Sequence, residues 1–141
     1  MAELPLALLV AGGSIEIFGP HGAREVEAED FLEQGLGRSD LIVASWWPMA
    51  DGRVAFEEIT QGGTVCAAAA VATAGVLRVG VAGTLDRPRV ASGADPQTVL
   101  EELGRWDYLA DDVAPAGYRA AASLALAERC VADVMVSGAS S

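Results

Sequence analysis

The 141-residue sequence holds one histidine, two cysteines, nine basic residues against 20 acidic ones, and no apolar run that approaches a membrane span. Each scarcity removes a class of function. A serine-histidine or cysteine-histidine catalytic pair must use His21, and a cluster of histidine metal ligands cannot form. His21 stands between Pro20 and Gly22, in turn chemistry, and reads as a solvated turn residue. Cys66 and Cys130 are far apart and form no CxxC pattern, so they read as buried free thiols instead of a zinc site or disulfide framework. The carboxylates have no EF-hand-like spacing, and no metal is expected. A formal charge of -11, with scattered basic residues, argues against nucleic-acid binding. The longest apolar stretches fall short of the roughly 18 to 20 residues that cross a bilayer, so no membrane partner is expected. Leu6 to Ala11 lacks a basic flank and runs into Gly12-Gly13 instead of a cleavage site, which makes the cytoplasm the expected location. Gly12-Gly13-Ser14 lacks the GxGxxG and GxxxxGK patterns and precedes a strand, so it reads as a hairpin entry and not as a phosphate loop.

What is present is alternation and turn chemistry around short helices. Leu4 to Val10 predicts a helix with Pro5 in its first turn and Gly12-Gly13 at its end. Ser14 to Phe18, Gly19-Pro20-His21-Gly22 and Arg24 to Glu27 predict a β-hairpin, and Asp30-Phe31-Leu32 opens a helical turn. Leu41 to Ala44 reads as a buried strand ending at Trp46-Trp47-Pro48. Asp51-Gly52 then turns the chain into Arg53 to Ile59 as its partner. Val65 to Val81 is open between helix and two hairpin strands, since alanine permits the first and valine the second. Asp95, Pro96 and the shared face of Val99, Leu100 and Leu103 specify a helix over 96–103 that Gly104 can end. Ala122, Leu126, Cys130 and Val134 lie at fourfold spacing in a last helix over 118–134. A mixture of antiparallel strands and flanking helices predicts an α+β domain.

Few residues invite chemistry. Glu57 and Glu58 are consecutive on a strand, so they point to opposite faces, and an inward one is a candidate general acid or base. The bland alternative is a short or edge strand that is wet on both faces. Trp46 and Trp47 are likewise split between faces, and one of them can fill the core while the other lines a substrate pocket, a flavin edge or a subunit contact. Asp107, Asp111 and Asp112 fall in the loop between the last two helices and suit capping or solvation.

Five short signatures occur in order: Glu3-Leu4-Pro5, Leu36 to Leu41 (LGRSDL), Ala55 to Glu58 (AFEE), Gly80 to Pro88 (GVAGTLDRP) and Gly117-Tyr118-Arg119. Together they resemble the C-terminal half of the FAD-binding medium subunit of molybdenum hydroxylases, the xanthine and carbon monoxide dehydrogenase family. The resemblance implies that residues 1–35 are a remnant of the FAD-binding subdomain and residues 36–136 a small α+β domain with a three-stranded antiparallel sheet; the residues of 137–141 themselves read as a mobile tail. The resemblance also resolves 65–81 into strands. It implies FAD contacts from Glu3, near the sugar-like part, and from Leu36, near the isoalloxazine ring. Phe56-Glu57 departs from the family, where a basic residue often follows the aromatic. The family's upstream phosphate-binding loops have no counterpart, so FAD is expected only together with a partner chain.

Three readings follow. In the first, the chain is a partial or split FAD subunit that assists flavin electron transfer beside iron-sulfur and molybdopterin subunits. In the second, it is a cofactor-independent small enzyme that uses Glu57 or Glu58 in an apolar pocket shaped by Trp46 or Trp47. The third is a non-catalytic homo-oligomeric interaction domain.

Overall fold

The computed structural model describes residues 3–46, 53–61, 64–110 and 115–139. The chain begins with α1 (Glu3–Ala11), β1 (Ser14–Gly19), β2 (Gly22–Glu27), α2 (Ala28–Gln34) and β3 (Leu41–Trp46). It continues through β4 (Arg53–Gln61), β5 (Thr64–Thr73), β6 (Val76–Ala82), β7 (Arg89–Gly93), α3 (Pro96–Gly104) and α4 (Ala116–Ala139). Two antiparallel sheets result, ordered β2-β1-β3 and β4-β5-β6-β7. The architecture is α+β, as the sequence predicts.

α1 joins the two sheets. Its sequence ELPLALLVA is apolar nearly all round, which suits a helix buried on several sides. Leu6 and Val10 pack on Ala67, Ala69, Val71 and Ala82 of the larger sheet. Leu8 and Leu9 turn the other way, onto Ile15, Ile17 and Ala28. Gly80 permits the close approach: a Cβ there would lie 2.5 Å from Val10 Cγ2 and 2.8 Å from Leu6 Cδ1.

The opposite face of the larger sheet carries the main core. Ala68, Ala70, Leu77, Val79 and Val81 meet Val99 and Leu103 of α3 and Leu126, Ala127, Cys130, Val131 and Val134 of α4. The alanine strand of β5 thus offers a flat surface to helices on both sides. The small side chains that left 65–81 undecided as sequence are those that a doubly covered central strand needs. Ala74 (φ 50°) and Gly75 (φ 80°) make the two-residue turn between β5 and β6, with the left-handed backbone that such hairpins require.

Two expectations about strands change. Leu41 to Ala44 lies in a strand that is largely exposed, not buried, and β3 pairs with β1 instead of β4. β4 pairs along its whole length with β5. Local pattern marks a strand but does not name its partner, and among the described residues β3 is an edge strand with no ladder on its second side. The larger sheet has four strands where the family resemblance implied three, because β7 returns along β6. The last two helices follow their signals closely. Asp95 caps α3, accepting from the Thr98 amide at 3.3 Å and from its hydroxyl at 2.7 Å. α3 includes Gly104 and closes at Arg105, and α4 is longer at both ends than the predicted 118–134. Trp47, the Asp51-Gly52 turn, Gly62-Gly63 and Asp111-Asp112 lie outside the described residues.

Candidate functional site

The loop bearing Leu36 is pinned by a carboxylate. Gly35 (φ 70°) leaves α2 with its amide bonded to Phe31 O at 2.8 Å, and Leu36 follows with its side chain exposed. Asp40 then accepts from the Gly37 amide at 3.0 Å and from Arg24 Nη2 of β2 at 3.0 Å. The Arg24 hydrogen bond, followed by that from Gly37, holds the Asp40 carboxyl below the usual carboxylate range. The loop is therefore tied to the smaller sheet with Leu36 presented outward. Glu3 is the first residue of α1, the helix between the sheets.

The paired glutamates divide as their spacing requires. Glu57 lies opposite Ala68 in the β4-β5 ladder and is half-buried on the α4 side, near Cys130. Burial first, then the negative charges of Glu57 and Asp133, push the Cys130 thiol up to about 12. Glu58 lies opposite Ala67 and is exposed on the other face, alongside exposed Val54 and Phe56. The carboxylate of Glu57 thus does not share a face with the Phe56 ring. Trp46 ends β3 in the other sheet, 55% exposed, beside an open recess of about 290 Å³ walled by Glu16, Ala23, Arg24 and Glu25. Neither Glu57 nor Glu58 lines that recess, so the structure does not bring the glutamates together with Trp46.

A second group of polar side chains is sealed in the main core. Thr84 Oγ1 and Ser123 Oγ are 2.7 Å apart, and Cys66 Sγ lies 3.4 Å from the same Ser123 oxygen. All three residues are buried, and burial raises the Cys66 thiol. Tyr108 donates its hydroxyl to Leu103 O at 2.9 Å and is pushed up to about 12, chiefly by burial and then by Cys66. Cys66, Thr84 and Ser123 satisfy one another's hydrogen bonds inside the core, a structural arrangement. Among the described residues, no three His, Cys, Asp or Glu side chains gather as a metal site. Nor is any helix there long and apolar enough to cross a membrane.

Two basic side chains that are apart in sequence, Arg78 and Arg87, meet in space. A cleft of about 370 Å³ between α2 and the β6-β7 edge is lined by both together with Glu29 and Glu33. Arg87 Nη1 meets Glu33 Oε1 at 3.2 Å, with both side chains more than half exposed. Arg89 turns its side chain to the opposite face of the sheet, its guanidinium carbon 4.9 Å from the centre of the Trp106 ring of the main core. Sequence reasoning missed the meeting of Arg78 and Arg87 because one lies on a strand and the other in a loop. Two signals were there to find: Arg78 is the lone charged residue of its strand, and Arg87-Pro88-Arg89 brackets a rigid proline.

The fit to FAD divides in two. Leu36 is an exposed apolar side chain of the kind that covers a flat ring system, while the exposed Val54 and Phe56 stand on β4 in the other sheet. The pyrophosphate has no counterpart to match: Gly12 and Gly13 follow the C-terminal end of α1 and enter β1, so their amides do not form the N-terminal cradle of a helix. Among the described residues no other glycine-rich turn opens a helix.

No family model and no curated protein matches the chain. Solved structures do. Quinoline 2-oxidoreductase from Pseudomonas putida 86 matches with a TM-score of 0.75 at 18% identity, over 94% of this chain and 55% of that one. Reconstituted CO dehydrogenase from Oligotropha carboxidovorans matches with a TM-score of 0.71 at 21% identity, over 94% and 56%. CO dehydrogenase from Hydrogenophaga pseudoflava matches with a TM-score of 0.71 at 15% identity, over 94% and 55%. The chain spans about half the length of these solved chains and shares their fold over that span. The fold implied by the ordered motifs is therefore the fold observed.

Proposed function

We propose that this chain is a partial flavin subunit of a molybdenum-hydroxylase-type oxidoreductase, completing an FAD site for electron transfer with a second chain that supplies the phosphate-binding half. The observation that carries the reading is the fold shared, over nearly the whole chain, with about half of a CO dehydrogenase or quinoline 2-oxidoreductase chain. The ordered motifs support it independently. Leu36, held outward by the Asp40 clamp, is the proposed contact to the ring, and Glu3 at the start of α1 the proposed contact to the sugar-like part. FAD supplies one- and two-electron redox chemistry when bound. The task of this chain is to orient the ring and exclude water from it, with iron-sulfur and molybdopterin subunits as the further partners.

Glu57 and Glu58 bear differently on this reading. The Glu57 carboxylate lies across the sheet from the Phe56 side chain, and the carboxylate on the Phe56 face is that of exposed Glu58. The test is to mix the purified chain with FAD, alone and with the protein encoded beside it, and to pass each mixture through gel filtration. The reading expects flavin to be retained only by the pair; no retention in either mixture overturns it.

A further inference from the structure

We infer that the free edge of β3, with the outer face of the smaller sheet beside it, binds a strand of another protein in which basic and apolar side chains alternate. The inference is separate from the flavin reading and stands on this sheet alone. Of the four strands that end the two sheets, β2, β4 and β7 each carry charged side chains, whereas β3 (LIVASW) carries no charge and no proline. Charge and proline are the usual guards of an edge, and an apolar edge without them pairs readily with a further strand. Leu41, Ile42, Val43 and Trp46 are 45% to 63% exposed, and among the described residues no ladder forms on the second side of β3. The register shift opposite Glu16 and Ile17 twists this edge but places no charge on it.

The chemistry of the partner follows from the register. Phe18 pairs with Ala23 and Leu41, Glu16 with Glu25 and Ala44, and Ser14 with Glu27 and Trp46. Directly opposed residues share a face, so these side chains form one surface. It lies away from Ile15, Ile17 and Val26, which pack with Leu8, Leu9 and Ala28 of the helices. Phe18, Leu41 and Trp46 make it apolar, and its strand positions include three carboxylates and no basic side chain. Glu16 and Glu25 stand directly opposite each other, a like-charge pair that a cation relieves. Both wall the recess of about 290 Å³ beside Trp46, whose indole attracts the same cation. Arg24, at the rim of that recess, is taken up by Asp40 at 3.0 Å. Ala44 stands between Glu16 and the free edge, and its small side chain leaves a path for a lysine or arginine of the added strand to reach Glu16. The backbone of that strand completes the ladder of β3. A second copy of this chain is a poor occupant, because it brings the same carboxylates and a further formal charge of -11.

The experiment is amide hydrogen exchange, followed by NMR on the full chain, with a short peptide in which lysine alternates with valine. The peptide is N-methylated along one edge so that it cannot stack on itself. Its glutamate-valine counterpart controls for charge, and a lysine-glycine peptide controls for the apolar contact. We expect the lysine-valine peptide at saturation to slow exchange across residues 41–46 about tenfold or more, with little slowing by either control. Glu16→Lys weakens binding of the lysine-valine peptide roughly threefold or more and strengthens that of the glutamate-valine peptide. Glu16→Gln, which keeps the side-chain shape, weakens the former in the same direction, and circular dichroism verifies that each variant is folded. Absence of slowing at residues 41–46 overturns the inference. So does equal slowing by either control peptide, or an affinity that neither substitution changes. Protection of β3 that grows with the concentration of the chain alone also overturns it, since the edge then belongs to a second copy.

Discussion

Arg78 of β6 closes the C-terminal end of α1, donating from Nε to Val10 O at 2.8 Å and from Nη2 to Leu9 O at 3.1 Å. The last carbonyls of a helix lack intrahelical donors and carry its negative dipole end, so a guanidinium there satisfies both needs. Because α1 packs on both sheets, this contact ties the fold together and also leaves one face of Arg78 toward the cleft.

Replacing Arg78 by methionine removes both bonds while keeping much of the side-chain volume. The expected loss is about 2–3 kcal/mol of stability, read from urea unfolding. Gly80→Ala, which drives a methyl group into Val10 and Leu6, costs about 1–3 kcal/mol. An unchanged midpoint for either variant would mean that α1 is not held as described.

Ser123 bridges Thr84 and Cys66 inside the core. Ser123→Ala leaves those groups buried without their shared partner and is expected to destabilise the fold by about 1–3 kcal/mol. A double-mutant cycle with Thr84→Val should show coupling of at least about 0.5 kcal/mol. Strict additivity would contradict the hydrogen bond.

The two thiols should be inert in the native state. Burial raises both Cys66 and Cys130, the latter to about 12, so little thiolate is present at pH 8 and no path leads to it. Reaction with a disulfide reagent is expected to await unfolding, with two thiols then released together. Fast labelling of the folded chain would refute this.

Acid should free the Leu36 loop. The folded-state pKa of Asp40 lies below its unfolded value, so the clamp is fully formed above about pH 3.9 and is lost as pH falls through the folded value. Asp40→Asn is expected to reproduce the acid state at neutral pH, with faster hydrogen exchange at the Gly37 amide. Exchange unchanged by the substitution would show that the clamp does not order the loop.

Much of this fold could be read from the residues. The β1-β2 hairpin followed from strict alternation around Gly19 to Gly22, and α3 from Asp95 and Pro96, because these signals act within a few residues. The partner of β3 and the arginine cleft could not be read, because both depend on which distant segments meet. β5 lay between the two: its alanines fit helix or strand until the helices covering both faces were known. Of the candidate site residues, Leu36 is exposed in the loop after α2. Glu57, Glu58 and Trp46 fall on three separate surfaces, since alternation fixes opposite faces but not which sheet carries them.

The central claim is that this chain covers a flavin whose phosphates are held elsewhere. Its most direct test is the visible absorption of FAD mixed with the chain and the protein encoded beside it, compared between native Leu36 and Leu36→Glu. The account predicts a perturbed flavin spectrum with the native pair, a spectrum returned toward free FAD by Leu36→Glu, and no perturbation with this chain alone. A spectrum indistinguishable from free FAD in every mixture, or one unaffected by Leu36→Glu, would contradict it.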